Sequence, residues 1–191
     1  MRLFIAVEIP DEIKKNIVEL INGLKKVEAG IKWVEEKNLH ITLKFLGSVE
    51  DKDLEKLISM VSKTVEDFGS FKVNFSGMGT FPEGKAPRVV WVGTTEGAEA
   101  LVKLAGGLEN SLSPAGFRSE QRAFKPHLTI GRIKAVPAGR QEKKGVDKLR
   151  VRMALIKNPK FGEAMIDRIF IMKSTLTAKG PIYEKIRGVK L

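Results

Sequence analysis

Two residues in this 191-residue chain invite a chemical reading first. His40 and His127 are its only imidazoles, and each opens the same short pattern, His-Ile-Thr-Leu at 40–43 and His-Leu-Thr-Ile at 127–130. Alternation of polar and apolar residues predicts a strand at each place, and on a strand residues i and i+2 share a face. His40 then faces the same way as Thr42, with Leu39, Ile41, Leu43 and Phe45 turned into apolar packing. His127 shares a face with Thr129, and Leu128 and Ile130 lie opposite. If both strands line one groove, it holds an acid/base pair and two hydroxyl donors. That set suits phosphodiester cleavage without a metal. A neutral imidazole takes a proton from the attacking water or hydroxyl, and a protonated one gives a proton to the departing ribose oxygen. Histidine serves both roles because its ordinary pKa lies near 6.5. Threonine hydroxyls can donate to the non-bridging oxygens as charge gathers there.

The flanking sequence supplies elements able to hold such strands. An apolar run at 2–9 predicts a strand ended by Pro10, and Asp11 is placed to cap a helix with Ile13, Ile17, Leu20, Ile21, Leu24 and Val27 inward. After the strand at 39–46 comes a second helix with Leu54, Leu57, Ile58, Val61 and Val65 inward, and 71–78 closes this half as a strand. The order then repeats: a strand at 88–93, a helix at 97–112 interrupted by Gly106-Gly107, the second histidine strand, a helix over 141–157 and a strand over 165–174. A last extended piece, 181–189, is expected to form a hairpin with it. The first strands are offset by about 85 residues and the histidines by 87, which reads as an internal duplication. The expectation is one α+β domain over 1–191, made of two pseudo-symmetric lobes that are approximately the N- and C-terminal halves. Each lobe is a mainly antiparallel sheet with helices on its outer face, and the active site lies in the groove between lobes.

Composition sets the wider bounds. The chain carries 34 Lys+Arg against 23 Asp+Glu, a formal charge of +11, which favours polyanionic partners. It has no cysteine, which excludes disulfides and thiolate metal sites, and no apolar run long enough to span a bilayer. Its opening, MRLFIAVEIPDE, reaches acidic residues too soon for a secretory signal, so a cytoplasmic location and no membrane contact are expected. Zinc usually takes three or four protein ligands, and neither histidine sits in a metal-binding spacing, so no metal is expected. The glycines of SGMGTF (76–81) lack the lysine-serine pair of a phosphate loop, so no nucleotide cofactor follows from them.

With these residues in view, the chain resembles the 2H phosphoesterase superfamily, whose signature is a doubled HxTx. The segments RLFIAVEIP, LHITLKFLG, PRVVWVG, FKPHLTIGR and STLTAKGPIYEKI, in that order, look like its bacterial and archaeal 2′-5′ RNA ligase branch over essentially the whole chain. The resemblance implies hydrolysis of RNA 2′,3′-cyclic phosphate ends to 2′-phosphomonoesters without metal or cofactor. It also implies His40 as proton donor to the departing 3′-oxygen, His127 as proton acceptor from water, and Thr42 and Thr129 on the phosphate. Symmetry between the motifs leaves those two roles interchangeable on sequence grounds.

Secondary expectations concern the rest of the groove. Lys44 has the strand parity of His40 and is a possible substrate contact, as are Tyr183, by stacking on a base, and Arg132. Arg132 has the wrong parity unless Gly131 marks a bulge. The loop 81–88 and the basic run from Arg132 to Arg152 are expected to guide the RNA body. The expected partner is RNA with 2′,3′-cyclic phosphate ends, tRNA fragments among the candidates, and the protein is expected to act as a monomer. The alternatives are a 2′-5′ RNA ligase joining RNA halves, a hydrolase of a small cyclic-phosphate metabolite, and an RNA-binding partner with an idle site.

Overall fold

Apolar residues spaced by three and four make the helices here, and runs alternating by two make the strands. The computed structural model describes every residue except Glu28, Lys85, 134–139 and Lys179, with residues 140–143 described by backbone alone. β1 (Arg2–Glu8) leads into α1 (Asp11–Lys25), and β2 (Ile31–Trp33) with a 3-10 turn at Glu36–Asn38 precedes β3 (His40–Ser48). α2 (Leu54–Val65), β4 (Phe71–Phe81), β5 (Val89–Thr94) and α3 (Ala98–Leu112) lead to β6 (His127–Ile133). α4 (Arg140–Leu155), β7 (Lys160–Ile166), β8 (Arg168–Thr177) and β9 (Gly180–Lys190) complete the chain.

The strands form two antiparallel sheets, ordered β3-β1-β8-β9 and β2-β6-β5-β4-β7. Two antiparallel sheets are as expected, but the halves of the chain exchange strands between them. β4 does not close the first half but pairs with β5 and β7, while β8 pairs with β1 and β9 with β8. Each sheet therefore draws strands from both halves of the chain. The duplication survives in the register: β1 pairs Ala6 with Thr42, and β5 pairs Trp91 with Thr129. The single strand expected over 165–174 is two strands broken at Asp167.

The helices cover the sheets' outer faces. Ile13, Ile17, Ile21 and Leu24 bury one side of α1. The Asn16 side-chain amide of α1 donates to the Phe161 carbonyl of β7 at 2.8 Å, so the helix following the first sheet's β1 lies on the second sheet. Asp11 does not cap this helix; Pro10 holds the cap position, and Asp11 accepts a hydrogen bond from Lys14 at 3.1 Å. α3 runs unbroken through Gly106-Gly107, with Leu101, Leu104, Leu108 and Leu112 buried, and packs on α2 and β3. These apolar faces join one continuous core, whose burial is the main source of stability.

The opposite faces of the sheets meet at β3 and β6, which touch. Twist brings two diagonal corners of the first sheet together. The Asn38 side-chain amide, just before β3, donates to the Pro181 carbonyl at the start of β9 at 3.3 Å. No helix among the described residues is long and apolar enough to cross a membrane.

Candidate active site

Each histidine is the first residue of its strand, and the backbone just before it fixes the ring. The Nδ1–H of His40 donates to the Asn38 carbonyl at 2.7 Å, and that of His127 donates to the Lys125 carbonyl at 2.7 Å. A carbonyl only accepts, so in the neutral ring the proton sits on Nδ1 and Nε2 is left with its lone pair. In the first strand the Thr42 hydroxyl lies 2.9 Å from His40 Nε2. Thr42 and Thr129 share the faces of His40 and His127, as the alternation predicts.

The two rings are covered differently. Phe4 lies 5.0 Å from His40 between ring centroids, and Tyr183 stands edge-on to it at 5.2 Å. Phe81 stands edge-on to His127 at 5.1 Å. Burial lowers the pKa of His40 to about 4, helped by the charge of Arg132 and opposed by the bond to Asn38. Burial and Arg132 also lower that of His127, against its bond to Lys125. Tyr183 is shifted upward by burial, against the charges of Arg132 and Arg2.

Two β-bulges decide which further residues reach the groove. On β3, Ile5 pairs with Lys44 and Ala6 with Thr42, leaving Leu43 extra. Past that point the parity of the strand reverses. Lys44 therefore turns inward, correcting its expected substrate contact. Its ammonium is buried, 2.5 Å from Glu109 Oε2 and 2.8 Å from the Arg118 carbonyl. Burial opposes ionisation of Glu109, but hydrogen bonds from Lys44, Ser113 and the Glu120 amide together hold its carboxyl well below the usual range. Phe45, expected in the core, is instead 53% exposed on the groove side, beside Phe4 at 6.3 Å.

β6 carries the matching bulge. Val90 pairs with Gly131 and Trp91 with Thr129, so Ile130 is extra and Arg132 swings onto the His127 face. Phe45 and Arg132 thus hold equivalent positions, five residues after their histidines. Gly131 has no room for a side chain, since a Cβ there would come within 2.8 Å of Ile31 Cγ2. Phe4, Phe45, Phe81 and Trp91 were not singled out by the motifs. The signal that finds Phe45 is the repeat itself, which aligns it with Arg132 through the two bulges. The glycines of 76–81 also acquire a purpose: a Cβ on Gly79 would collide with the Trp91 indole, which stacks on Phe81 at 5.1 Å. Of the expected RNA-guiding segments, Lys85 and 134–139 lie outside the described residues.

Comparison with known proteins agrees with this arrangement. The family model for LigT like phosphoesterases matches residues 7–91 and, a second time, residues 92–183. The RNA 2′,3′-cyclic phosphodiesterase of Thermotoga maritima is 39% identical over 184 residues, 96% of this chain and 92% of its own length. That of Methanocaldococcus jannaschii is 39% identical over 187 residues, 98% of this chain and 99% of its own. Among solved structures, TT0787 of Thermus thermophilus superposes with a TM-score of 0.81 at 28% identity, covering 100% of this chain and 98% of the other. E. coli LigT complexed with 3′-AMP shares the fold, with a TM-score of 0.79 at 24% identity over 100% of this chain and 97% of the other. Two imidazoles on duplicated strands, a doubled family match and near full-length relatives lead to one assignment: this chain belongs to the LigT-like phosphoesterase family of 2H enzymes.

Proposed function

We propose that this protein hydrolyses RNA 2′,3′-cyclic phosphate ends to 2′-phosphomonoesters by general acid/base catalysis without a metal. One observation carries the reading: two imidazoles, each tied through Nδ1–H to a carbonyl two residues earlier, begin adjacent strands that touch across the groove. Relatives named RNA 2′,3′-cyclic phosphodiesterase support the substrate. His127 Nε2 takes a proton from water as its oxygen bonds to phosphorus. The bond from phosphorus to O3′ breaks, and His40 Nε2–H gives its proton to that oxygen. Thr42 and Thr129 donate to the non-bridging oxygens, and Arg132 offsets their charge.

His40 is neutral near pH 7 in the free protein, since its pKa is lowered to about 4. Acting as donor requires that it take up a proton as the phosphate anion enters and displaces Thr42 from Nε2, because a nearby negative charge favours the protonated ring. Both imidazoles come from one chain, so a monomer suffices. The RNA is a cytoplasmic one, with tRNA fragments a suitable class.

The test is an oligoribonucleotide ending in a 2′,3′-cyclic phosphate, incubated with the protein in EDTA, with products resolved as 2′- or 3′-phosphates. Conversion to the 2′-phosphate is expected. Loss of activity in EDTA removes the metal-free mechanism, and a 3′-phosphate product reverses the leaving group.

A further inference from the structure

We infer that Lys32 and Arg2, at the His40 end of the groove, form a second phosphate subsite that holds the phosphodiester on the 5′ side of the terminal nucleotide. This rests on the reading of the site above and names what the same groove holds beyond the reacting phosphate.

The strand geometry places both cations. Lys32 pairs in register with Arg132 on β6, and its neighbours Ile31 and Trp33 pack on the core side against Gly131, so Lys32 faces the groove. Its ammonium reaches across to the first sheet, 3.6 Å from where a Cβ on Gly180 would lie. Gly180 opens β9 and lies at the tip of the hairpin that carries Tyr183. Arg2 shares the face of Phe4 on β1, and the Phe4 ring touches both His40 and Tyr183. The charges of Arg132 and Arg2 both bear on Tyr183, and the Lys32 ammonium reaches the start of the strand that carries it, so three cations from three strands serve this end of the groove.

The chemistry gives the subsite its occupant. In an in-line displacement the departing O3′ lies opposite the water. With His40 on O3′ and His127 on the water, the ribose sits on the His40 side. The rest of the RNA hangs from that ribose through its 5′-phosphate, so the next charged group leaves the groove at this end. A mononucleotide with a free 5′-hydroxyl has nothing to place there. Lys32 is a specificity residue on this account, favouring a chain end over a free cyclic nucleotide.

The experiment compares kcat/KM for three substrates: a cyclic mononucleotide with a 5′-hydroxyl, a dinucleotide with a cyclic phosphate end, and that dinucleotide with an uncharged methylphosphonate linkage. Wild type is expected to prefer the charged dinucleotide. Lys32→Ala should lower its rate on that substrate by about tenfold, with the mononucleotide as internal reference, and Lys32→Arg should restore it. The salt dependence for the dinucleotide should weaken by about one counterion in Lys32→Ala. Equal loss on mononucleotide and dinucleotide, or equal wild-type rates on charged and methylphosphonate dinucleotides, overturns the subsite while leaving the hydrolysis intact. Failure of wild type on all three substrates overturns the reading of the site, and this inference with it.

Discussion

The two histidine strands share a backbone plan and differ in what surrounds it. Both begin at the imidazole, both anchor Nδ1 to a carbonyl two residues earlier, and both bulge after the threonine. Around His40 the first sheet folds a corner over the ring, with Phe4 and Tyr183 against it and Thr42 on its free nitrogen. Around His127, among the described residues, the aromatic cover is one edge-on Phe81. At the equivalent fifth position one strand shows Phe45 and the other Arg132. A duplicated scaffold thus gives two imidazoles in the same tautomer but in unlike surroundings, which lets an acid and a base share one groove.

The largest effect that separates the two strands is expected at Arg132. Its charge bears on both histidines, and removing a preorganised phosphate contact typically costs about 10²–10³ in rate. Arg132→Ala should fall in that range while both imidazole pKa values rise, followed by NMR titration. A loss spread equally over salt-bridged surface arginines such as Arg168 would deny it a special place.

The burial of His40 has a cost in stability that His127 shares only in part. With a pKa of 6.5 unfolded and about 4 folded, the unfolded chain binds more protons between those values. The stabilisation is present above pH 6.5 and is lost as pH falls through 4, amounting to about 3 kcal/mol. Urea unfolding at pH 7 and pH 4 should show this loss reduced in His40→Asn by that amount. An unchanged pH dependence would mean that the ring is not held neutral by the fold.

Lys44 and Gly131 are the equivalent residues that follow the extra residue of each bulge. Lys44→Met keeps the length of the side chain but leaves Glu109 without its ammonium, and about 1–3 kcal/mol of stability should be lost. Gly131 makes no such bond, so the second bulge has no counterpart to this effect. Smallest of all, Tyr183→Phe should leave the His40 pKa near its present value, because the ring and not the hydroxyl covers the imidazole. Tyr183→Ala should let it climb towards 6.5. Equal titration curves for the two variants would remove Tyr183 from the cover.

The pairing of His40 with Thr42 and of His127 with Thr129 was legible because it needs only two residues of alternation. Alternation counted further failed at Lys44 and Phe45, since a bulge adds a residue that parity alone does not show. At Arg132, Gly131 had marked the bulge as the condition for reaching the groove. Ile5 facing Lys44 and Val90 facing Gly131 are facts of the partner strand, not of the strand that bulges. The offset of 85 residues between β1 and β5 revealed the duplication, but not that β4 and β8 trade sheets. That exchange depends on which edge of β1 and β5 is left open for hydrogen bonding, and distant strands compete for it. All but the end of β7 was missed for a local reason: Gly162, at φ +126°, interrupts the apolar pattern of a strand that α1 covers.

The measurement that bears most directly on the acid/base pair is single-turnover cleavage of a cyclic-phosphate oligoribonucleotide by His40→Ala, His127→Ala and the double variant. Each single change should slow the reaction by about 10²–10⁴-fold, and the double variant should be little slower than the worse single one, because two groups acting in one step are not additive. Losses of tenfold or less, or a double variant whose loss is the product of the two, would contradict a groove in which both imidazoles serve the same displacement.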